Sequence, residues 1–169
     1  MGITINFYNT LRQRGNNYIG NIQRVYEHKV TYSLVERELY KKNSINSVTH
    51  DLDKLILFIL GFPRKFITKF HRKHSEHHVE SHKPLNLRSM LCDNIASSPY
   101  FKTDKKQPLR EYFNNSELNK VCGLKELMEK FNYGEHLDFV KIKNNVNNNY
   151  KGFSGFLHYI YDMIQLLFI

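Results

Sequence analysis

Apolar side chains recur along this chain at the three- and four-residue spacing of an α-helix. Between residues 18 and 39, Ile22, Val25 and Val35 lie near one face of such a helix. His28 follows Val25 by three residues and falls on the same face. The pattern therefore predicts an amphipathic first helix with a histidine among its core positions.

Start and stop signals divide the rest of the chain into further helices. Gly61 and Pro63 end one helix, and Pro63 also suits the first turn of the next. The only candidate strand is GITINFY, residues 2–8, and NNVNNNY, residues 144–150, predicts a linker. We expect one all-α domain over residues 1–169, a compact bundle of six or seven helices closed by a packing helix within residues 152–169. The predicted helices cover residues 18–39, 45–60, 63–78, 86–98, parts of 109–131, 134–147 and 154–168.

Composition restricts the setting and the partners. Two cysteines, Cys92 and Cys122, are too few for a disulfide scaffold, and the first twenty residues contain no apolar signal segment. We therefore expect a cytoplasmic protein, of a bacterium or of a phage- or virus-infected cell. No stretch is long and apolar enough to predict a membrane span. A net charge of +9 favours an anionic partner, such as a nucleotide, another small phosphoester or nucleic acid.

Histidines and aspartates cluster on the predicted helices. A histidine on an apolar face, such as His28, is commonly a core residue satisfied by a hydrogen bond. The recurrence of such residues on four successive helices favours a metal site instead. Imidazole and carboxylate together suit Mn, Fe, Co, Ni or Zn, with Mg as a further possibility. The candidate ligands are His28, His50, Asp51, His71, His74, His77, His78, His82 and Asp93.

Four segments in this order resemble a known superfamily. They are HDLDK at residues 50–54, HRKHSEHHVESH at 71–82, SMLCD at 89–93 and LKELMEKFNYGEHL at 124–137, and His28 precedes the first by 22 residues. The combination resembles the HD-domain superfamily of metal-dependent phosphohydrolases, and within it an uncharacterised branch of bacterial and phage domains. The resemblance covers about residues 20–147. The segment from Ser97 to Cys122 is longer and more basic than in that branch.

The resemblance implies roles for particular residues. His28, His50, Asp51 and Asp93 would hold one divalent cation. His77 or His78 would recruit a second cation or donate a proton. Adjacent helical residues point about 100° apart, so one ion would take only one of the two. His78 continues the helical stripe of Ile67, His71 and His74, and His77 is the alternative if the helix has already ended.

The implied reaction is hydrolysis of a phosphoester by a metal-activated water. Asp51 would accept a proton, Lys54 would contact the substrate phosphate, and His71 and His74 would bind phosphate or protonate the leaving group. A solvated Lys54 and a solvated pair of histidines are the plain alternatives.

Two other classes of function stay open. One is a nucleotide- or nucleic-acid-binding protein without turnover, and the other is an oxygenase with paired irons on a similar scaffold. The basic loop 102–108 beside Tyr100 and Phe101 resembles a nucleic-acid groove, although surface lysines explain it equally well. Cys92 is expected to be a buried small hydrophobe rather than a nucleophile.

Overall fold

The computed structural model describes residues 2–98, 108–114, 116–149 and five positions between 154 and 161, with side chains from residue 19 onward. All regular structure in these ranges is helical, which confirms the predicted all-α bundle. Residues 2–8, the only candidate for a strand, form the first turns of a long helix instead. The α-helices are α1 (Gly2–Tyr40), α2 (Ile45–Thr49), α3 (Leu52–Ile59), α4 (Arg64–His74), α5 (Leu87–Ala96), α6 (Leu109–Asn114), α7 (Leu124–Lys130) and α8 (Phe139–Asn149), with short 3-10 turns at Glu117–Lys120 and Asn132–Gly134.

The C-terminal half of α1 is the central element of the bundle. It packs against α5 on one side and against α3 and α8 on others. Tyr32 and Val35 on α1 meet Leu91 and Ile95 on α5, and all four side chains are buried. Burial of these apolar groups is the main favourable contribution to folding. It also places the polar residues on the neighbouring faces of α1 and α5 close together.

The helix expected over residues 45–60 is broken in two, so that expectation is wrong. Ser44 caps α2, whose last hydrogen bond runs from the His50 amide to the Asn46 carbonyl. His50 then leaves the helical conformation, and Asp51 adopts a left-handed one with φ of 56°. Asp is among the residues that tolerate this region. The break places His50 and Asp51 at the junction of α2 and α3.

The helix expected over residues 63–78 ends earlier, at His74. Ser75 is extended, and residues 75–86 form a loop that bonds back to α4 through the His82 amide and the Lys73 carbonyl. The predicted stripe of His71, His74 and His78 on one helix is therefore wrong. Ile67 and His71 are buried, His74 is exposed, and His77 and His78 belong to the loop.

Other expectations have mixed outcomes. Residues 144–149 of the predicted linker are helical, since α8 continues to Asn149, so the linker prediction is wrong over these residues. Most of residues 152–169, where a packing helix is expected, and nearly all of the basic loop 102–108 lie outside the described residues. The five described positions between 154 and 161 are helical. Among the residues that are described, no helix has the length and apolarity needed to cross a bilayer.

Candidate metal centre

Three parts of the chain bring four predicted ligands together. His28 comes from α1, His50 and Asp51 from the α2–α3 junction, and Asp93 from α5. The His28 Nε2 atom lies 2.8 Å from Asp93 Oδ1 and 3.8 Å from Asp51 Oδ2. His50 Nε2 lies 3.2 Å from the same Asp93 oxygen, 3.8 Å from Asp51 Oδ1 and 3.3 Å from His28 Nε2. These donor atoms therefore surround one small volume.

The separations between these donor atoms suit a shared cation. A nitrogen or oxygen ligand lies about 2.0–2.2 Å from a zinc-sized ion, so neighbouring ligand atoms are about 2.8–3.6 Å apart in octahedral or tetrahedral geometry. The His28–His50 and His50–Asp93 separations fall in this range. Asp51 lies slightly farther out, at 3.8 Å from both imidazoles.

A second cluster lies on the other side of Asp51. His71 Nε2 is 3.1 Å from Asp51 Oδ1 and 3.1 Å from His77 Nε2. Ligand atoms of His71, His77 and His78 all lie within 4.8 Å of one another, as do those of His50, His77 and Asp93. The buried Nε2 of His78 has no hydrogen-bond partner among the described residues. The Asp51 carboxylate thus lies 3.1–3.8 Å from imidazole nitrogens of both clusters.

Burial and charge hold these groups in ligand form. Burial raises the pKa of Asp93, but hydrogen bonds from His28 and His50 outweigh it and place that pKa well below its usual range. Burial also raises the pKa of Asp51, but nearby positive charges, that of Lys54 among them, lower the pKa by more. Both carboxylates are therefore ionised at neutral pH, as metal ligands must be.

The imidazoles divide into two groups. Burial lowers the pKa of His50 below its ordinary value. It also lowers the pKa of His77 to about 2 and the pKa of His78 to about 4. These three rings are therefore neutral at pH 7. Burial lowers the pKa of His28 as well, but the hydrogen bond and charge of Asp93 raise it by more. The site therefore offers neutral nitrogen donors at His50, His77 and His78, and an imidazole paired with Asp93 at His28.

Asp53 is a site residue that the sequence argument missed. Its carboxylate accepts a hydrogen bond from His71 Nδ1 at 2.9 Å, and the Ser75 hydroxyl lies 2.9 Å from the same nitrogen. This contact directs the other ring nitrogen, Nε2, towards Asp51. Carboxylates commonly orient metal-binding histidines in this way. A second aspartate in HDLDK, two residues after the predicted ligand Asp51, was the available signal.

Tyr32 and Lys29 also support the junction and were not predicted. The Tyr32 ring stacks on His50 with centroids 3.9 Å apart, and its hydroxyl donates to Ser89. The buried Lys29 ammonium donates to the Val48 carbonyl at the end of α2. Both contacts hold the broken segment against α1.

Lys54 and a pocket complete the site. Lys54 Nζ lies 2.8 and 2.9 Å from the two Asp51 oxygens, so Lys54 forms an ion pair rather than a purely solvated side chain. A cavity of about 370 Å³ opens beside the ligands. His74 lines it, and a hydrogen bond from its Nδ1 to the Phe70 carbonyl leaves Nε2 available. Its other lining residues include Asn46, Thr49, His50, Asp51, Asp53, Phe70, His77 and Lys83.

Cys92 lies next to Asp93 but faces the core. It is fully buried, and burial raises the pKa of its thiol well above the ordinary value. A thiol in that state is a poor nucleophile. The expectation that Cys92 packs as a small hydrophobe agrees with this position.

Comparisons with known proteins add no relationship to this geometry. No family model matches the chain, and searches of curated proteins and of solved structures likewise give no match.

Proposed function

We propose that this protein is a metal-dependent phosphohydrolase that acts on a nucleotide or a related small phosphoester. The observation that carries the proposal is the convergence of His28, His50, Asp51 and Asp93, from three separate parts of the chain, beside an open cavity. Buried ionised carboxylates normally pair with an opposite charge or coordinate a metal, and of these two carboxylates Lys54 is paired with that of Asp51.

The ligand sets follow from the distances. The first cation would be held by His28, His50, Asp51 and Asp93. Asp51, His71 and His77 would hold a second, with His78 near enough to contribute. When bound, such cations lower the pKa of a coordinated water and neutralise charge on a phosphoryl oxygen.

The protein's own residues supply the other requirements of hydrolysis. Lys54 holds the Asp51 carboxylate in place and brings a positive charge next to that proposed ligand. Lys83 and His74 line the cavity, where an ammonium and an imidazole nitrogen can bind a phosphate oxygen or protonate a leaving group. Because Asp51 and Asp93 are ionised and buried, they favour cations and repel a phosphate that lacks one.

Metal content and activity measured on one set of variants test this proposal. We expect the purified protein to contain one or two equivalents of a transition metal and to hydrolyse bis-p-nitrophenyl phosphate in Mn or Co. Asp93→Ala and Asp51→Ala should lose both properties. Glu129→Ala, at an exposed position on α7, should keep both. A fully metallated protein that is inactive on a broad nucleotide panel would contradict the hydrolase proposal.

A second candidate, oxygen activation by paired irons, is favoured by the His71, His77 and His78 cluster. That cluster places nitrogen donors across Asp51 from the first ligand set. Iron-loaded protein would then show an oxygen-dependent change in its absorption or Mössbauer spectrum. The hydrolase proposal expects no such change during turnover.

A further inference from the structure

A row of aromatic rings covers one exposed side of α4 and the turn before it. We define the ring row as Phe62, Phe66, Phe70 and His74, spaced four residues apart. Successive ring centroids are 5.1, 6.0 and 4.2 Å apart, and each pair is stacked within 24° of parallel. The three phenylalanines are 41, 46 and 36% exposed, although phenylalanine is normally a core residue. This face therefore presents apolar rings to a partner.

A basic groove runs along the neighbouring side of the same helix. It has a volume of about 410 Å³, and its lining residues are Arg64, Lys65, Thr68, Lys69 and Arg72. Arg72 pairs with Glu80, while Arg64, Lys65 and Lys69 form no ion pair with a carboxylate in the described part of the chain. No Asp or Glu occurs between Asp53 and Glu76. The charge of this surface is therefore positive and largely uncompensated.

The ring row leads directly to the candidate metal centre. Phe70 and His74, its last two members, line the cavity that also contains His50, Asp51 and His77. A ligand that follows the rings from Phe62 towards His74 thus arrives at the proposed cation ligands. The surface and the site form one continuous path.

We propose that this path binds single-stranded nucleic acid and delivers a phosphate of the strand to the metal centre. The inference rests on the proposed phosphohydrolase function and names its substrate class. A positively charged groove beside aromatic rings is the usual combination for binding single strands, since the groove follows the phosphates and the rings stack on bases. A base that stacks between two rings needs about 3.4 Å on each side, so the two rings must be about 7 Å apart. The Phe62–Phe66 and Phe66–Phe70 pairs lie within 1–2 Å of that separation.

The charge argues against a second copy of this chain as the occupant. Self-association through this face would bring the two sets of cations together at close range, which is unfavourable. A strand with one negative charge per nucleotide matches the groove instead. The exposed Ile59 and Leu60 at the turn before Phe62 make an anionic bilayer the other anionic surface to test.

Fluorescence anisotropy with a labelled dT12 oligonucleotide tests the path. The protein carries Asp93→Ala, so that binding is measured without hydrolysis. We expect binding that weakens with salt, with a slope of about −2 for three phosphate contacts. Phe66→Ser should weaken binding about fivefold to a hundredfold, the range for loss of one stacked base. Lys65→Gln with Lys69→Gln should make the salt slope shallower by about 1.4.

Matched controls and competing outcomes make the result decisive. Lys125→Gln with Lys141→Gln removes two exposed lysines on α7 and α8 and should leave the slope unchanged. Circular dichroism confirms that each variant is folded. Equal affinity of Phe66→Ser and its parent would overturn the proposal. So would binding to phosphatidylserine vesicles but not to dT12, or a dimer in light scattering that Phe66→Ser dissociates.

The same measurements separate this inference from the function on which it rests. If the Asp93→Ala protein binds the oligonucleotide and this binding depends on Phe66, the path is supported even when the wild-type protein shows no metal and no hydrolysis. Metal-dependent hydrolysis of small phosphoesters without binding of dT12 overturns the path and leaves the phosphohydrolase proposal standing.

Discussion

Replacement of Glu36 by alanine should destabilise the protein strongly, although Glu36 is not a metal ligand. Its fully buried carboxylate accepts hydrogen bonds from the Ser44 amide at 3.0 Å and the Ser44 hydroxyl at 2.7 Å. It also accepts from the Ser47 hydroxyl and from Arg88 Nε at 2.7 Å. These contacts tie the end of α1 to the start of α2 and to α5. Because His50 directly follows the last residue of α2, this network also positions His50 in the candidate metal centre.

The expected magnitude follows from the kind of contact that is lost. Removing one member of a buried, hydrogen-bonded ion pair costs about 3–5 kcal/mol, and Arg88 is 27% exposed, so we expect the lower end of that range. For a protein of this size, 1 kcal/mol lowers the melting temperature by about 2–4 °C, and the total decrease should be about 10 °C. Urea unfolding followed by circular dichroism at pH 7 measures the free energy directly.

Glu38→Ala is the matched control on the same helix. The Glu38 side chain is 41% exposed and lies 3.8 Å from Lys41, a surface pair of the kind that contributes less than about 1 kcal/mol. If Glu36→Ala and Glu38→Ala changed the free energy of unfolding equally, the argument for a buried network would be refuted.

The pH dependence of the same variant has a definite sign. Burial raises the pKa of Glu36, but hydrogen bonds from Ser47 and Ser44 and the charge of Arg88 lower it by more, so the folded-state pKa is below the ordinary 4.5. Stability from this group is therefore complete above about pH 4.5 and is lost as the pH falls through the folded-state pKa. Glu36→Ala should lose less stability than the parent between pH 5 and pH 3. An unchanged acid profile would contradict the assignment.

Three further predictions concern single side chains. Asp53→Asn should weaken metal affinity about tenfold to a hundredfold in a chelator competition, because His71 loses its orienting carboxylate; a change below threefold would count against that role. Lys54→Met should lower kcat/KM for phosphoesters at least tenfold at unchanged metal content, and loss of metal instead would show that Lys54 only holds Asp51 in place. Gly134→Ala should lower the free energy of unfolding in urea by about 1–3 kcal/mol, because φ at this position is +77° and a Cβ would lie 2.9 Å from Ile95 Cδ1. An unchanged free energy of unfolding would mean that this turn relaxes freely.

Local signals in the sequence were sufficient for the helical class and for several boundaries. Apolar spacing predicted the helix that carries His28, and Gly61 with Pro63 correctly marked the end of one helix and the approach to the next. The resemblance carried by HDLDK and SMLCD also implied His50, Asp51 and Asp93 as ligands, and the structure brings them together with His28. These features depend on neighbouring residues, whose conformational preferences are expressed along the chain itself.

The break at Asp51 and the end of α4 at His74 could not be predicted from helical periodicity. Both positions continue an acceptable helical pattern in the sequence, yet the chain leaves the helix at each of them. At Asp51, contacts with Lys54, His71 and the imidazoles on either side stabilise a left-handed backbone that isolated propensity disfavours. Tertiary contacts override weak local preferences in this way.

The helical class, the positive charge and the residue types capable of binding a cation could all be predicted from the order of residues alone. Which of those residues share a site depends on the fold: His77 lies in the loop beside His71, Asp53 lies behind His71, and His74 lines the cavity. A ligand set is defined by distances of about 3 Å between residues far apart in the chain. Those distances are determined by how α1, α4 and α5 pack, and no local pattern encodes that packing.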